Sequence, residues 1–377
     1  MTPPAPAAGR VRRAAGCARL LILAMVLPGA TAAPAGVCTL DRAVATRIDP
    51  QPFLRGAYGV RWNHATDRLA FMRPGPAGYY EVVTARSDGS DLRLPVDGRP
   101  EFGKHAGAVY WHPSGRYLLL VAQKPDWTGR KLFGIPDYEA LPGFGRHDDL
   151  WLVRADGSAS WRLTDDANTR DQGILIPVFS PDGRSVAWSA RQPGGTYALK
   201  VADFVEAPAP HLETVRTYQP GGAAYYETGS FSSDGASLFY TSDQDTHSFW
   251  SSQIYRLDLA TGTSVRLTAG KDYNEHPTVV ATPGGDWLIY MSTRGAERFP
   301  GHLMLGTEWY AMRPDGSGAK RLTRMNVKPS EHPQFDGTMQ VAGTVAVSPA
   351  GDLMLGDSQD SLVRQTGQSL RVHFACE

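Results

Sequence analysis

Two strings in this 377-residue chain join a carboxylate to an imidazole: Glu275-His276-Pro277 and Glu331-His332-Pro333. Tyr225-Tyr226-Glu227 holds the corresponding place one repeat before the first of them, and His105 a similar place nearer the N-terminus. Carboxylates and imidazoles are the side chains that hold divalent metals and move protons in general acid–base catalysis. A ring of His, Glu and Tyr is therefore a candidate metal or acid–base site. A metal needs three ligands that converge, and convergence is a property of the fold.

The elements that must position these residues recur along the chain. Pro177 to Ala190 reads P-V-F-S-P-D-G-R-S-V-A-W-S-A, two alternating apolar runs joined by Ser-Pro-Asp-Gly. Asp-Gly between such runs is a strong hairpin signal, because glycine supplies the positive φ of the turn. Copies begin at Trp111 (W-H-P-S-G-R-Y-L-L-L-V) and Phe231 (F-S-S-D-G-A-S-L-F-Y), with weaker ones at Trp62, Ala281 and Val347. A second hairpin with its own Asp-Gly follows most copies and closes on Arg-Leu-Thr, as in 151–164, 254–268 and 309–323. The closing residues Thr164, Thr217, Thr268 and Thr323 are 53, 51 and 55 residues apart. Four short strands at such a period make a propeller blade. The expected fold is all-β, a single six-bladed β-propeller of four-stranded antiparallel blades, over 55–96, 104–165, 172–218, 224–269, 273–324 and 338–374.

The Phe-Ser-Pro-Asp-Gly inner turn and the Asp-Gly-Ser…Arg-Leu-Thr outer hairpin resemble the repeat of TolB-like β-propellers, which also occurs in the propellers of some peptidases and pectin-degrading lyases. The resemblance covers nearly all of residues 33–377 and implies the fold rather than an activity. In that repeat, His-Pro at the head of an inner strand caps and packs the strand, which weighs against a chemical role for either histidine alone. Residues 33–54 are too few for the additional α/β domain of TolB, so the expectation is the propeller alone.

Residues 1–32 read as a signal peptide: Arg10, Arg12, Arg13 and Arg19, then apolar Leu20 to Leu27, then Ala30-Thr31-Ala32. The apolar stretch is too short to span a bilayer, so no transmembrane segment is expected in the mature chain, which is placed in the periplasm or outside the cell. Cys17 leaves with the signal. Cys38 and Cys376 remain at the two ends and, in an oxidising compartment, are expected to form a disulfide. The last blade has three strands of its own, Val341–Val347, Leu353–Gly356 and Leu370–Phe374, so Ala43–Ile48 is expected to close the ring as its fourth. Thirty-eight basic and 38 acidic residues balance, and no basic field advertises nucleic-acid binding.

In a four-stranded meander, the turns after the first and third strands share one face of the disc. The loops after the second strand and the connections between blades share the other. Both Asp-Gly families fall on the first face. Every long insertion falls on the second: Lys124 to Asp149, Asp243 to Ser252, Arg294 to Gly306 and Met325 to Gln340. Long loops without periodicity tend to carry function. Trp127, Tyr138 and Phe144, with His247 and Phe249, are the candidate ligand-binding residues there, and Tyr226, Glu275, His276, Glu331 and His332 are the candidates at the channel mouth.

No G-x-S-x-G elbow, phosphate loop, dinucleotide fingerprint, Cys-x-x-Cys or His-Glu-x-x-His occurs. With no complete catalytic set, the preferred reading is a non-catalytic, monomeric binding module for a protein or cell-envelope glycan, with no cofactor, no metal and no nucleic acid. The alternative is a metal-assisted polysaccharide lyase or hydrolase using the His/Glu residues at the mouth.

Overall fold

Serine, aspartate and glycine make the inner turns by dividing the work. Gly183 has φ 73°, the left-handed backbone the turn requires. Asp182 Oδ1 accepts from the Arg184 amide at 3.0 Å and the Ser180 hydroxyl at 2.6 Å. Asp234 repeats both bonds, to the Ala236 amide at 3.0 Å and the Ser232 hydroxyl at 2.5 Å. These aspartates are spent on the turn backbone.

Arg-Leu-Thr has an equally specific task. Thr323 Oγ1 accepts the Trp309 amide at 3.0 Å and donates to Glu308 Oε2 at 2.7 Å, while Arg321 reaches Glu308 Oε1 at 2.7 Å. Thr268 does the same with the Ile254 amide and Gln253, and Thr164 with the Leu150 amide and Asp149. The motif pins a short outer strand to the head of the strand beside it.

The computed structural model describes residues 40, 43–282, 284–296, 306–326, 340–349, 353–359 and 368–376. The expected signal peptide, Cys38, Glu331 and His332 lie outside them. β1 (Ala43–Arg55) is followed by a sheet of three strands, β2 (Tyr58–Asn63), β3 (Arg68–Pro74) and β4 (Tyr80–Arg86). Next come β5 (Ala106–Trp111), β6 (Tyr117–Gln123), β7 (Asp148–Arg154) and β8 (Ser160–Arg162). The third sheet is β9 (Ile174–Phe179), β10 (Ser185–Arg191), β11 (Tyr197–Val205) and β12 (His211–Tyr218). The fourth is β13 (Tyr226–Phe231), β14 (Ser237–Ser242), β15 (Gln253–Asp258) and β16 (Ser264–Arg266). The fifth is β17 (Asn274–Val280), β18 (Trp287–Ser292), β19 (Glu308–Met312) and β20 (Lys320–Arg321). β21 (Val341–Val347), β22 (Leu353–Gln359) and β23 (Gln368–Cys376) complete the last sheet with β1 at its outer edge, in antiparallel register Ala43 to Cys376. Among the described residues the only helical elements are short 3-10 turns.

The expectation of six four-stranded blades is corrected here. Five sheets have four strands, and β2–β3–β4 stops at three. The reason is local. Thr84 and Arg93 exchange both backbone hydrogen bonds, at 2.9 and 2.8 Å. The next hydrogen-bonded pair of that ladder would be Val82 with Pro95, and proline has no N–H to give. The fourth strand is thus reduced to one bridge.

The inner strands β2, β5, β9, β13, β17 and β21 each pack against the inner strands of two neighbouring sheets and enclose the channel. The core lies between successive sheets, where Trp309, Tyr226, Tyr240, Tyr255, Phe71 and Phe239 are fully buried.

Candidate functional site at the channel mouth

Every inner strand breaks register with its neighbour once: at 59–60, 108–109, 176–177, 229, 276–277 and 343–344. Such bulges re-aim side chains. At His276 the backbone is left-handed, φ 58°, an uncommon conformation for a residue with a side chain. Pro277 explains part of the Glu-His-Pro string. It seats against Gly229 of β13, where an added Cβ would lie 2.5 Å from the proline ring, and its carbonyl accepts Ser230 Oγ at 3.1 Å.

This geometry brings Glu227, Glu275 and His276 together, with one ligand atom of each within 4.8 Å of the others. His276 Nδ1 is 2.7 Å from Glu227 Oε1 and Nε2 is 3.5 Å from Glu275 Oε2. The Tyr225 hydroxyl donates to Glu227 Oε2, and the Glu275 charge acts on Tyr273. Burial, joined by the Glu227 charge, pushes Glu275 up to about 7. Burial pulls His276 down, but the two carboxylates overcome it and hold the imidazole at about 9. Tyr225 and Tyr273 are raised by burial and by the same carboxylates, so both remain hydrogen-bond donors. A carboxyl group poised near neutrality, as Glu275 is, can exchange a proton with a bound molecule, and the same three side chains offer a cation one nitrogen and two carboxylate donors.

Of the sequence candidates, Glu275 and His276 lie in this cluster, and Glu331 and His332 are outside the described residues. Tyr226 is fully buried, with its hydroxyl bonded to Gly222 O and the Gly221 amide. Tyr225 faces the cluster instead. His105 is buried and spent: Nδ1 accepts the Tyr80 amide at 3.0 Å, and Nε2 lies 2.8 Å from Pro136 O, tying down the long loop. Trp127 stacks on His147 with ring centres 4.0 Å apart. His247 is exposed in the loop before β15.

Tyr138, Phe144 and Phe249 belong to two runs of ring contacts, joined by one hydrogen bond, the second of which reaches the cluster. Phe133 meets Tyr138, and Tyr138 meets Phe144. The Tyr197 hydroxyl bonds the Phe144 carbonyl at 3.2 Å, Tyr197 packs edge-on against Tyr225, and Tyr225 against Phe249. Phe249 then touches Trp250 and Tyr273. Phe133, Phe144, Phe249 and Trp250 are exposed. On β2 and β5, Arg61 donates to the Tyr110 hydroxyl and lies over its ring at 4.1 Å. Neither residue carries a motif that singles it out in the sequence.

No protein-family model matches the chain. Over 87 residues it is 33% identical to Tricorn protease homolog 1 of Streptomyces coelicolor, a match covering 22% of this chain and 8% of that protein. Among solved structures it is similar to TolB from Acinetobacter baumannii, with TM-score 0.53 and 17% identity over 82% of this chain and 64% of that one. An oligogalacturonate lyase in complex with manganese superposes with TM-score 0.49 and 14% identity, over 85% and 77% of the two chains. The fold is a TolB-like β-propeller. The chain spans under a tenth of the Streptomyces protein and less than two thirds of TolB. No helix of the described residues is long and apolar enough to cross a membrane.

Proposed function

We propose that this is an exported, non-catalytic binding propeller that engages a protein or cell-envelope glycan through its long-loop face, as a monomer in the periplasm or outside the cell, with Cys38 bridged to Cys376. One observation carries the reading: the exposed rings of Phe133, Phe144, Phe249 and Trp250 come from two separate loops of that face, Phe249 touching Tyr225 and Tyr273 at the channel mouth and Phe144 tied to Tyr197 beside Tyr225 through its backbone carbonyl. Rings already packed on one another lose little freedom when they anchor a partner, and they exclude water around it. The test is capture from envelope extract by wild-type protein and by a variant with Phe133, Phe249 and Trp250 all changed to alanine. Retention of the same partner by the triple variant overturns the reading.

The second reading, a metal-assisted polysaccharide lyase or hydrolase, is favoured by the convergence of Glu227, Glu275 and His276. It requires release of new chain ends from a polysaccharide, lost in His276→Ala.

A further inference from the structure

We infer that Glu227, Glu275 and His276 form a binding site for one first-row divalent transition cation of the Mn2+ or Zn2+ class, whether or not the protein is an enzyme. Among the described residues this is the only place where three such side chains converge. Convergence alone would describe an ordinary ion-paired patch, but Glu227 adds an independent observation. Its side chain is 5% exposed, and while Oε2 takes the Tyr225 hydroxyl, Oε1 accepts no hydrogen bond. His276 Nδ1 stands 2.7 Å from that oxygen without hydrogen-bond geometry between them. A buried carboxylate oxygen left in this state costs stability. A cation relieves it: two donors bound at about 2.1 Å and at right angles stand about 3 Å apart, close to the separation found.

The surroundings fit a site rather than an accident of packing. Tyr225 orients Glu227, as second partners of metal ligands do. His276 is 21% exposed, so the cluster is open on its imidazole side. Arg61 places a positive charge near His276, and its guanidinium is occupied by Tyr110 and by Val60 O. One nitrogen and two carboxylates suit Mn2+ or Zn2+, whereas Ca2+ prefers six to eight oxygens.

The experiment uses the full mature chain without an affinity tag, stripped with chelator and desalted. Mn2+ binding is followed by electron paramagnetic resonance, Zn2+ binding by competition with a chromogenic chelator, and Ca2+ serves as competitor. The expected result is one Mn2+ or Zn2+ per chain, undisturbed by equimolar Ca2+, with affinity reduced about tenfold or more in Glu227→Gln and His276→Ala. Absence of stoichiometric binding by the wild type overturns the proposal, as does unchanged affinity in both variants. Should a variant fail to fold, the wild type still decides: bound Mn2+ must show nitrogen hyperfine coupling from an imidazole, and its absence refutes the site. No partner or glycan enters these titrations, so their outcome is separate from that of the binding reading.

Discussion

Lys124 Nζ lies 2.5 Å from Asp149 Oδ2, with both side chains almost wholly buried, and the two residues bracket the longest loop of the disc. Asp149 also takes Arg162, at 2.5 Å. The loop between them is packed rather than loose: Ile135 and Leu141 form a cluster with Tyr58 and Tyr80. Buried Asp137 accepts Gln123 Nε2 at 2.8 Å and the Gly129 amide at 2.7 Å. Lys124→Ala removes one of the two cations that Asp149 holds, leaving Arg162, and as the loss of a buried charge-assisted hydrogen bond should cost about 1.5–3 kcal/mol in urea unfolding. Arg130→Ala removes an 89%-exposed partner of Glu139 and should change stability by less than about 0.5 kcal/mol. Equal effects of the two would refute this account of the loop base.

Thr323 is buried with its hydroxyl both accepting and donating. Thr323→Val keeps the shape and leaves the Trp309 amide and Glu308 short of a partner, at a cost of about 1–3 kcal/mol. Thr323→Ser should retain most of the lost stability. Chemical denaturation of the pair distinguishes loss of the hydroxyl from loss of the methyl.

Asp148 supplies a pH signature. Burial, with the neighbouring Asp149 charge, raises its pKa from 3.8 to about 8, although Oδ1 takes the Ile174 amide at 2.6 Å. Its Oδ2 has no hydrogen-bond partner. Below about pH 4 the group is protonated folded and unfolded, and imposes no penalty. Between pH 4 and 8 the unfolded chain releases the proton that the folded chain retains, so this contribution to stability falls as pH rises. Asp148→Asn should flatten that slope and, at pH 8, be more stable than wild type by at least about 1 kcal/mol, the worth of one pK unit. Thermal melts across pH 4–8 check it, and an Asn variant parallel to wild type throughout would count against the assignment.

Trp250 is 53% exposed, so truncating it tests function with little disturbance of the fold. Trp250→Ala should weaken capture of the partner about tenfold or more, a hot-spot loss, and leave the melting temperature nearly unchanged. A drop in melting temperature with undiminished capture would mark the ring as packing alone.

The site was legible as far as strand periodicity reaches. Tyr225 and Glu227 are two apart and share a face, whereas Tyr226 between them must point the other way. That alternation identifies Tyr225 as the channel residue and Tyr226 as core. The Glu-His-Pro string announced His276, but its left-handed backbone follows from a bulge that no local signal marks. Asp-Gly and Arg-Leu-Thr carried the repeat because each satisfies hydrogen bonds within a few residues of itself. The shortened first sheet hangs on a single proline, Pro95, whose missing N–H matters only once the register of Thr84 with Arg93 is known. Arg61 with Tyr110, and Lys124 with Asp149, are contacts across long sequence separations and leave no local trace.

The pairing of β1 with β23 sets an order of events during synthesis and folding. Every other described strand lies between these two in the chain, so their joining closes the longest loop among the described pairings and carries the largest closure entropy of them. Until β23 has been made and reaches it, β1 lacks its partner and presents an open edge, the kind of edge that recruits strands from other chains. A propeller joined this way folds slowly for its size and is most exposed to aggregation just before completion. Its yield will be governed by how long the first strand waits for the last.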